Sequence, residues 1–258
     1  MPEKMEMKLT IVSHYGKKSV ELINLISMLQ DKLSECLGFA FKPYDMEQVH
    51  GTIIGLEGVF SVKGIVNKWF KENRDEERYM KSECLLEFIK SDVIKEIGIK
   101  IGGYHFHKDY GFTSREQHPF MRSFSIQGKI AVTMGWPIEA DKYVKTLYQL
   151  RKNFEQVEVL HKWHKDGYED NDFFFVLGRI DREYINPLIL ERMASEIRLI
   201  LAGIEETVTI GKNTMSIVAY IDPQLPTTTS GVFRFNDESL TPQLINHLYQ
   251  QSITMRCT

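Results

Sequence analysis

His50 and Thr52, two residues apart in the stretch DMEQVHGTIIGLEG, are the side chains best suited to proton transfer beside a charged oxygen. An imidazole exchanges a proton near neutral pH, and a hydroxyl can donate a hydrogen bond to an oxyanion. In an extended segment residues two apart share a face, so His50 and Thr52 project together while Gly51 and Ile53 project the other way. The chain has eight histidines, and a His-x-Thr triplet arises easily by chance, so the pair gains meaning only from structural context. The alternative is a strand-end histidine satisfied by a local hydrogen bond.

Further histidines offer the second half of an acid–base pair. His161 and His164 in VLHKWHKDG, and His105 and His107 in GGYHFHKD, are accessory candidates, with Lys108 and Arg115 as neighbouring charges. Asp166, Asp170 and Asp172 follow the first pair closely, but no cysteine or His-Glu-x-x-His arrangement completes a zinc set. Neither a metal nor another cofactor is expected. Arg179, in FFFVLGRI, either grips a phosphate with its planar fork or pairs with Asp181. Tyr104, Phe106, Tyr110, Phe112 and Phe120 either stack on a base or anchor the loop that carries them.

The elements that must position these groups follow from periodicity. A first strand is expected over Lys8–Tyr15, then a helix from Lys18 to about Cys36 with Val20, Ile23, Ile26, Leu29 and Leu33 at helical spacing, stopped by Gly38. The apolar run Ile53, Ile54, Leu56 makes the His50 segment a strand. Residues Val62–Glu96 read as mostly helical, Ile97–Ile101 and Ser125–Met134 as strands, and Glu139–Asn153 as a helix. Phe173–Leu177 is a buried strand and Pro187–Ala202 a helix. Val208 to Ile221 reads as the last strands, a hairpin about Gly211-Lys212-Asn213. The connection 102–124 between two strands is long enough to act as a lid.

A chain of 258 residues, 43% hydrophobic and 26% charged, can bury a large core. The expected class is α+β, with two pseudo-symmetric lobes of largely antiparallel sheet and helices around a central cleft. Residues 1–225 form this domain, and 226–258 an arm ending in a short helix. The formal charge of −3 gives no general attraction for nucleic acid, and duplex DNA is not expected as a partner. Cys36, Cys84 and Cys257 are too few and too scattered for a disulfide framework, and no segment has the length of a membrane span, so a cytoplasmic protein without membrane association is expected.

With QVHGTIIGLEG and FFFVLGRI in view, the chain resembles the two-histidine phosphoesterase superfamily, which includes RNA 2',3'-cyclic phosphodiesterases and 2'-5' RNA ligase-like proteins. The resemblance spans roughly Lys8 to Ile221. It implies two lobes, each offering one His-x-Thr/Ser from a strand into a shared cleft, the histidines acting as general base and acid and the hydroxyls holding phosphate. His50 and Thr52 match the first motif. At the second, Phe174 replaces the histidine and Val176 the hydroxyl residue, while Leu177, Gly178 and Arg179 keep the family's continuation. The resemblance therefore implies a diverged phosphoesterase-like protein acting on a cyclic nucleotide or an RNA terminal 2',3'-cyclic phosphate. The alternatives are an inactive module binding a small phosphorylated ligand or RNA end, and a structural or interaction protein forming a homodimer through its C-terminal helix.

Overall fold

In the computed structural model, which describes residues 7–164 and 168–254, the opening strand β1 (Lys8–Ser13) leads into helix α1 (Val20–Leu37). Ser19 caps α1 by accepting the Leu22 N–H at 3.3 Å, and Gly38 ends it with φ 52° while its N–H meets Ser34 O. The buried stripe is Leu22, Leu25, Ile26, Leu29, Leu33 and Leu37. Val20, expected inside, is 66% exposed, because the helix starts at this residue and turns it away from the sheet.

Strands β2 (Phe41–Pro43) and β3 (Gly51–Gly55) follow. After β4 (Gly58–Ser61), the region Val62–Glu96 expected to be mostly helical instead opens with β5 (Gly64–Asn67), which forms a small sheet with β4 and, after helix α2 (Lys68–Arg74), β6 (Tyr79–Met80). Gly64, at φ 129°, permits the tight reversal that joins β4 to β5, and Asn67 caps α2 through two backbone N–H groups. Helix α3 (Ser82–Lys90) and strand β7 (Ile97–Gly102) come next.

Helix α4 (Pro119–Arg122), strands β8 (Phe124–Gln127), β9 (Ile130–Glu139) and β10 (Lys142–Tyr143), and helix α5 (Thr146–Asn153) continue the chain. The helix expected from Glu139 starts seven residues later, because β9 runs on through Pro137 and turns at Ala140 and Asp141, both at positive φ. Strand β11 (Phe173–Ile180), helix α6 (Pro187–Ala202), strands β12 (Glu205–Ile210), β13 (Met215–Tyr220) and β14 (Gly231–Arg234) and helix α7 (Pro242–Thr254) complete it.

The architecture is α+β. The main sheet runs β12-β7-β9-β11-β3-β1-β13-β14, its neighbours antiparallel, with β2 attached to β11 and β8 and β10 to β9. The hairpin expected about Gly211 does not form, since β12 pairs with β7 while β13 pairs with β1, six strand spacings away. On a flat sheet that is roughly 29 Å at ~4.8 Å per strand. The connection from Ile210 to Met215 reaches at most about 18 Å when fully extended. The sheet must therefore curl until its two flanks approach, and Ser13 Oγ at the end of β1 indeed donates to Thr214 Oγ1 in that connection at 2.9 Å.

One face of the sheet, through Leu9, Ile11, Ile53, Phe173, Phe175 and Leu177, packs with α1 and α6 into the main core. The opposite face carries two smaller apolar clusters, one around Tyr104, Val132, Met134 and Trp136, the other around Val12, Val218, Tyr220 and Leu225. The arm beyond residue 225 adds β14 to the sheet edge and places Ile245 and Tyr249 in the main core, with Tyr249 O–H donating to Leu56 O. Pairing of two chains through α7 would have to use its outer side. Among the described residues no helix is long and apolar enough to cross a membrane. Cys36 is half-buried and Cys84 exposed, and Cys257 lies outside the described residues.

Gly51 holds β3 against β11. A Cβ there would lie 2.1 Å from Phe173 Cζ, and Phe173 is fully buried and has no room to yield. Gly51→Ala is expected to cost about 1–3 kcal/mol in chemical denaturation, the usual penalty for overpacking a filled core. An unchanged midpoint would contradict this packing.

Candidate functional site

Strands β3 and β11 lie side by side at the middle of the sheet, paired through Gly51 and Phe175, and the positions expected to carry the chemistry meet over them. His50, Thr52, Phe174, Val176, Arg179 and His161 all line one cavity of about 480 Å³. It lies between the two smaller apolar clusters, on the face opposite α1 and α6.

His50 stands just before β3, where its Nδ1 is 2.6 Å from Gln48 O. A carbonyl only accepts, so Nδ1 carries the proton and Nε2 keeps the lone pair. Burial pushes the imidazole pKa down to about 4, against the partly restoring Gln48 contact and with the nearby Lys18 ammonium adding to the fall. Lys18 is itself buried, its Nζ donating to Gly16 O at 2.9 Å and Glu47 O at 3.4 Å, which fixes the positive charge near the ring. Tyr15 packs edge-on against His50 at 5.6 Å between ring centroids. At neutral pH His50 is thus a fixed neutral ring with a defined acceptor nitrogen.

Across from it the cavity is apolar on one side and cationic on the other. Phe174 and Val176 pack against the Trp136 cluster and make the apolar wall. By simple alternation Arg179 would point to the opposite face from Phe174 and Val176. The register of β11 against β9 shifts between Val176 and Gly178, and this bulge brings Arg179 round to the cavity. Lys129, just before β9, and Lys162 also reach the cavity. Glu57 enters it too, its Oε2 accepting from Trp69 Nε1 at 2.9 Å and its Oε1 from Tyr220 O–H at 3.4 Å.

Arg151, on α5, is 1% exposed and ties the cavity floor together. Its Nε donates to Ile53 O at 2.8 Å and its Nη2 to Thr52 O at 3.1 Å, while Nη1 meets Asp170 O, Asp170 Oδ2 and Asp172 O, each at 3.1 Å. The guanidinium thereby clamps the backbone of β3 at Thr52 to the segment that enters β11.

Of the four accessory histidines, the structure brings one to the cavity wall and seats a second behind it. His161 is buried with Nδ1 3.7 Å from Asp170 Oδ2, and its ring packs edge-on against His164 at 5.0 Å. His164 has Nδ1 3.8 Å from Glu155 Oε1. Burial and the Arg151 charge hold the His161 pKa well below the ordinary histidine value and that of His164 at about 4. His105 and His107 are exposed on the 103–110 connection, away from the cavity. No group of three metal-ligating side chains assembles among the described residues, and Asp166 lies outside them.

The connection 102–124 is anchored. Ser114 Oγ donates to both Asp172 carboxylate oxygens at 2.8 and 2.9 Å, Trp136 Nε1 donates to Asp172 at 2.7 Å, and Arg122 Nη2 donates to it at 3.2 Å. Tyr104 sits edge-on to Trp136 at 4.9 Å, and Phe112 stacks on Tyr143 at 3.9 Å. The aromatic residues Tyr104, Tyr110, Phe112 and Phe120 serve as anchors, packed in or against the Trp136 cluster. At the rim near Arg115 a different aromatic surface appears: Trp163, 38% exposed, with the Arg115 guanidinium 4.9 Å and Lys162 Nζ 5.0 Å from its ring. Arg151, Lys129, Glu57 and Trp163 were not marked by any spacing in the sequence; each reaches the cavity from a different element.

Four histidines, His161 and His164 buried and His14 and His50 half-buried, make acid stability testable. The pKa of His14 and His50 falls to about 4, mainly through burial, as does that of His164, and His161 is lowered in the same sense. Below about pH 6.5 the unfolded chain takes up protons that the folded chain refuses, so their contribution to stability is complete above about 6.5 and is lost as pH falls toward about 4. Urea midpoints are expected to drop between pH 7.5 and pH 5, and a constant midpoint would contradict neutral burial of these rings.

Neither a protein-family model nor a curated protein matches this chain. Among solved structures it is similar to a conserved protein of unknown function from Agrobacterium tumefaciens, at 12% identity and a TM-score of 0.47, over 90% of this chain and 86% of that one. It is also similar to a phosphoesterase, at 11% identity and a TM-score of 0.35, over 89% and 95% of the two chains. A third similar structure is Usb1 of Kluyveromyces marxianus with uridine monophosphate, at 7% identity and a TM-score of 0.38, over 90% and 100%.

Proposed function

We propose that the cavity receives the phosphate of a nucleotide or RNA end and that the protein is a diverged phosphoesterase, opening a cyclic nucleotide or a terminal 2',3'-cyclic phosphate with His50 as general base. The observation that carries this is the His50 ring, held neutral with its Nδ1–H on Gln48 O and its acceptor nitrogen free, beside the Thr52 hydroxyl in a cavity that Arg179, Lys129 and Lys162 also line. Water gives a proton to His50 Nε2 as its oxygen attacks phosphorus. The bond from phosphorus to one ribose oxygen breaks, and that oxygen is protonated by His161 or by water. Thr52 donates to a phosphoryl oxygen, and Arg179 meets the charge that accumulates there. A bound phosphate also raises the pKa of nearby imidazoles, which makes protonation of His161 easier in the complex than in the free protein.

The pair β3–β11 stands at the centre of the sheet with three further strands on each side, which supports two pseudo-symmetric lobes meeting at the cavity. A second function is favoured by Phe174 and Val176: an apolar wall where the matching half-site would stand suits a module that binds phosphorylated ligands without turning them over. Assays over 2',3'- and 3',5'-cyclic nucleotides and cyclic-phosphate-ended oligonucleotides separate the two. Turnover dependent on His50 supports the enzyme. Binding without turnover supports the module, and the absence of both removes the phosphate reading.

A further inference from the structure

Beyond the His50 cavity, three cations stand in a row over β2, β11 and the turn that enters β9. Arg179 of β11 lies directly opposite Lys42 of β2 on one side and opposite Ile130 of β9 on the other, and Lys129 precedes Ile130. All three are exposed and line a groove of about 330 Å³, which shares Lys129, Arg179 and Gln224 with the His50 cavity. Like charges placed opposite one another across a sheet weaken it, so the fold gains nothing from this row. The carboxylate at the groove, Asp181, faces the N–H of Glu183 at 3.4 Å, where it caps a short turn. The row also requires the bulge in β11, without which Arg179 would point into the opposite face. A backbone irregularity that aims a cation at two others is explained by an anion that they hold together.

We propose that Lys42, Arg179 and Lys129 form a second phosphate subsite continuous with the first, so that the ligand is the end of a single-stranded nucleic acid rather than an isolated mononucleotide. This rests on the phosphate reading of the His50 cavity and adds a direction to it: the strand leaves the cavity along β2 and β11. A polyphosphate would fit the row equally well. The rim at the cavity's other border favours nucleic acid, because Trp163, 38% exposed, with the Arg115 and Lys162 cations over its ring makes an aromatic and cationic surface suited to a base and its phosphate.

Three probes test this by calorimetry at about 50 and about 200 mM salt: uridine 3'-monophosphate, uridine 3',5'-bisphosphate, and a uridine trinucleotide ending in a 3'-phosphate. The trinucleotide is expected to bind about tenfold or more tighter than the monophosphate. Lys42→Gln should remove much of that gain and lower the salt slope for the trinucleotide by about 0.7, the share of one phosphate on a single strand. Lys42 is exposed and does not line the His50 cavity, so monophosphate binding should stay the same, and Lys42→Arg should restore the gain. Equal affinity for monophosphate and trinucleotide overturns the second subsite, as does a Lys42→Gln loss that is the same for both. A bisphosphate that matches the trinucleotide overturns the strand and leaves a two-phosphate nucleotide. Failure of all three probes to bind removes the phosphate reading itself, and the inference with it.

Discussion

His50→Ala is expected to lower turnover of a 2',3'-cyclic phosphate by about 10²–10⁴-fold, the usual worth of a positioned general base. The expectation rests on how completely the ring is prepared. Gln48 O fixes the tautomer, Tyr15 packs against the ring, and burial, with a smaller push from the Lys18 ammonium, keeps it unprotonated near neutral pH. The same depression to about 4 makes His50 a weaker base than an unperturbed imidazole, so the absolute rate should be modest even in the intact protein. Affinity for a non-cleavable phosphate ligand should change much less than turnover, since Thr52 and the cations remain. A variant with unchanged turnover would mean that His50 is a satisfied strand-end residue and that any chemistry lies elsewhere.

Arg151→Met is expected to destabilise the fold by about 3–5 kcal/mol, the range for removing one partner of a buried ion pair. The guanidinium makes five hydrogen bonds of 2.8 to 3.1 Å, four of them to backbone carbonyls, and Asp170 is left as an unpaired buried carboxylate without it. Adding Asp170→Leu should recover part of the loss, because the lone charge is gone, while the carbonyls of Thr52 and Ile53 stay without their donor. Chemical denaturation of the two single variants and the double variant reads this directly. Additive losses would show that Arg151 and Asp170 do not act as a pair.

The sequence makes the α+β class, the boundaries of α1 and α6 and strands such as β7 and β11 legible, since each has an apolar period and the helices have capping residues such as Ser19 or Gly38. The single strand expected over Ser125–Met134, by contrast, is a hairpin of β8 and β9 that turns at Gly128, at φ 58°. The sequence also shows His50 and Thr52, because alternation along a strand is a local property. Three features depend on pairing between distant segments and leave no local trace. The hairpin expected at Gly211 fails because β12 and β13 find other partners, β7 and β1, across a curled sheet. The helical region expected from Val62 begins instead with β5, which pairs with β4 through a reversal that depends on Gly64, and β4 packs against α7 from the far end of the chain. Arg179 is visible as a residue type, but its direction is set by a bulge whose register exists only in the β9–β11 pair. His161 was one of four accessory histidines of equal standing in the sequence, and only the packing of Arg151 and Asp170 beside it distinguishes it.

A ligand's phosphate is expected to sit against Thr52 beside His50, and an isosteric change of that side chain separates its hydroxyl from its shape. Calorimetric titration of the intact protein and of Thr52→Val with a uridine 2',3'-cyclic phosphate and with uridine 3'-monophosphate compares a hydroxyl with a methyl in the same place. Binding by the intact protein that weakens about tenfold or more in Thr52→Val is the predicted result, the loss of one hydrogen bond to a charged group. Equal binding by both proteins, or no binding of either ligand, would contradict it.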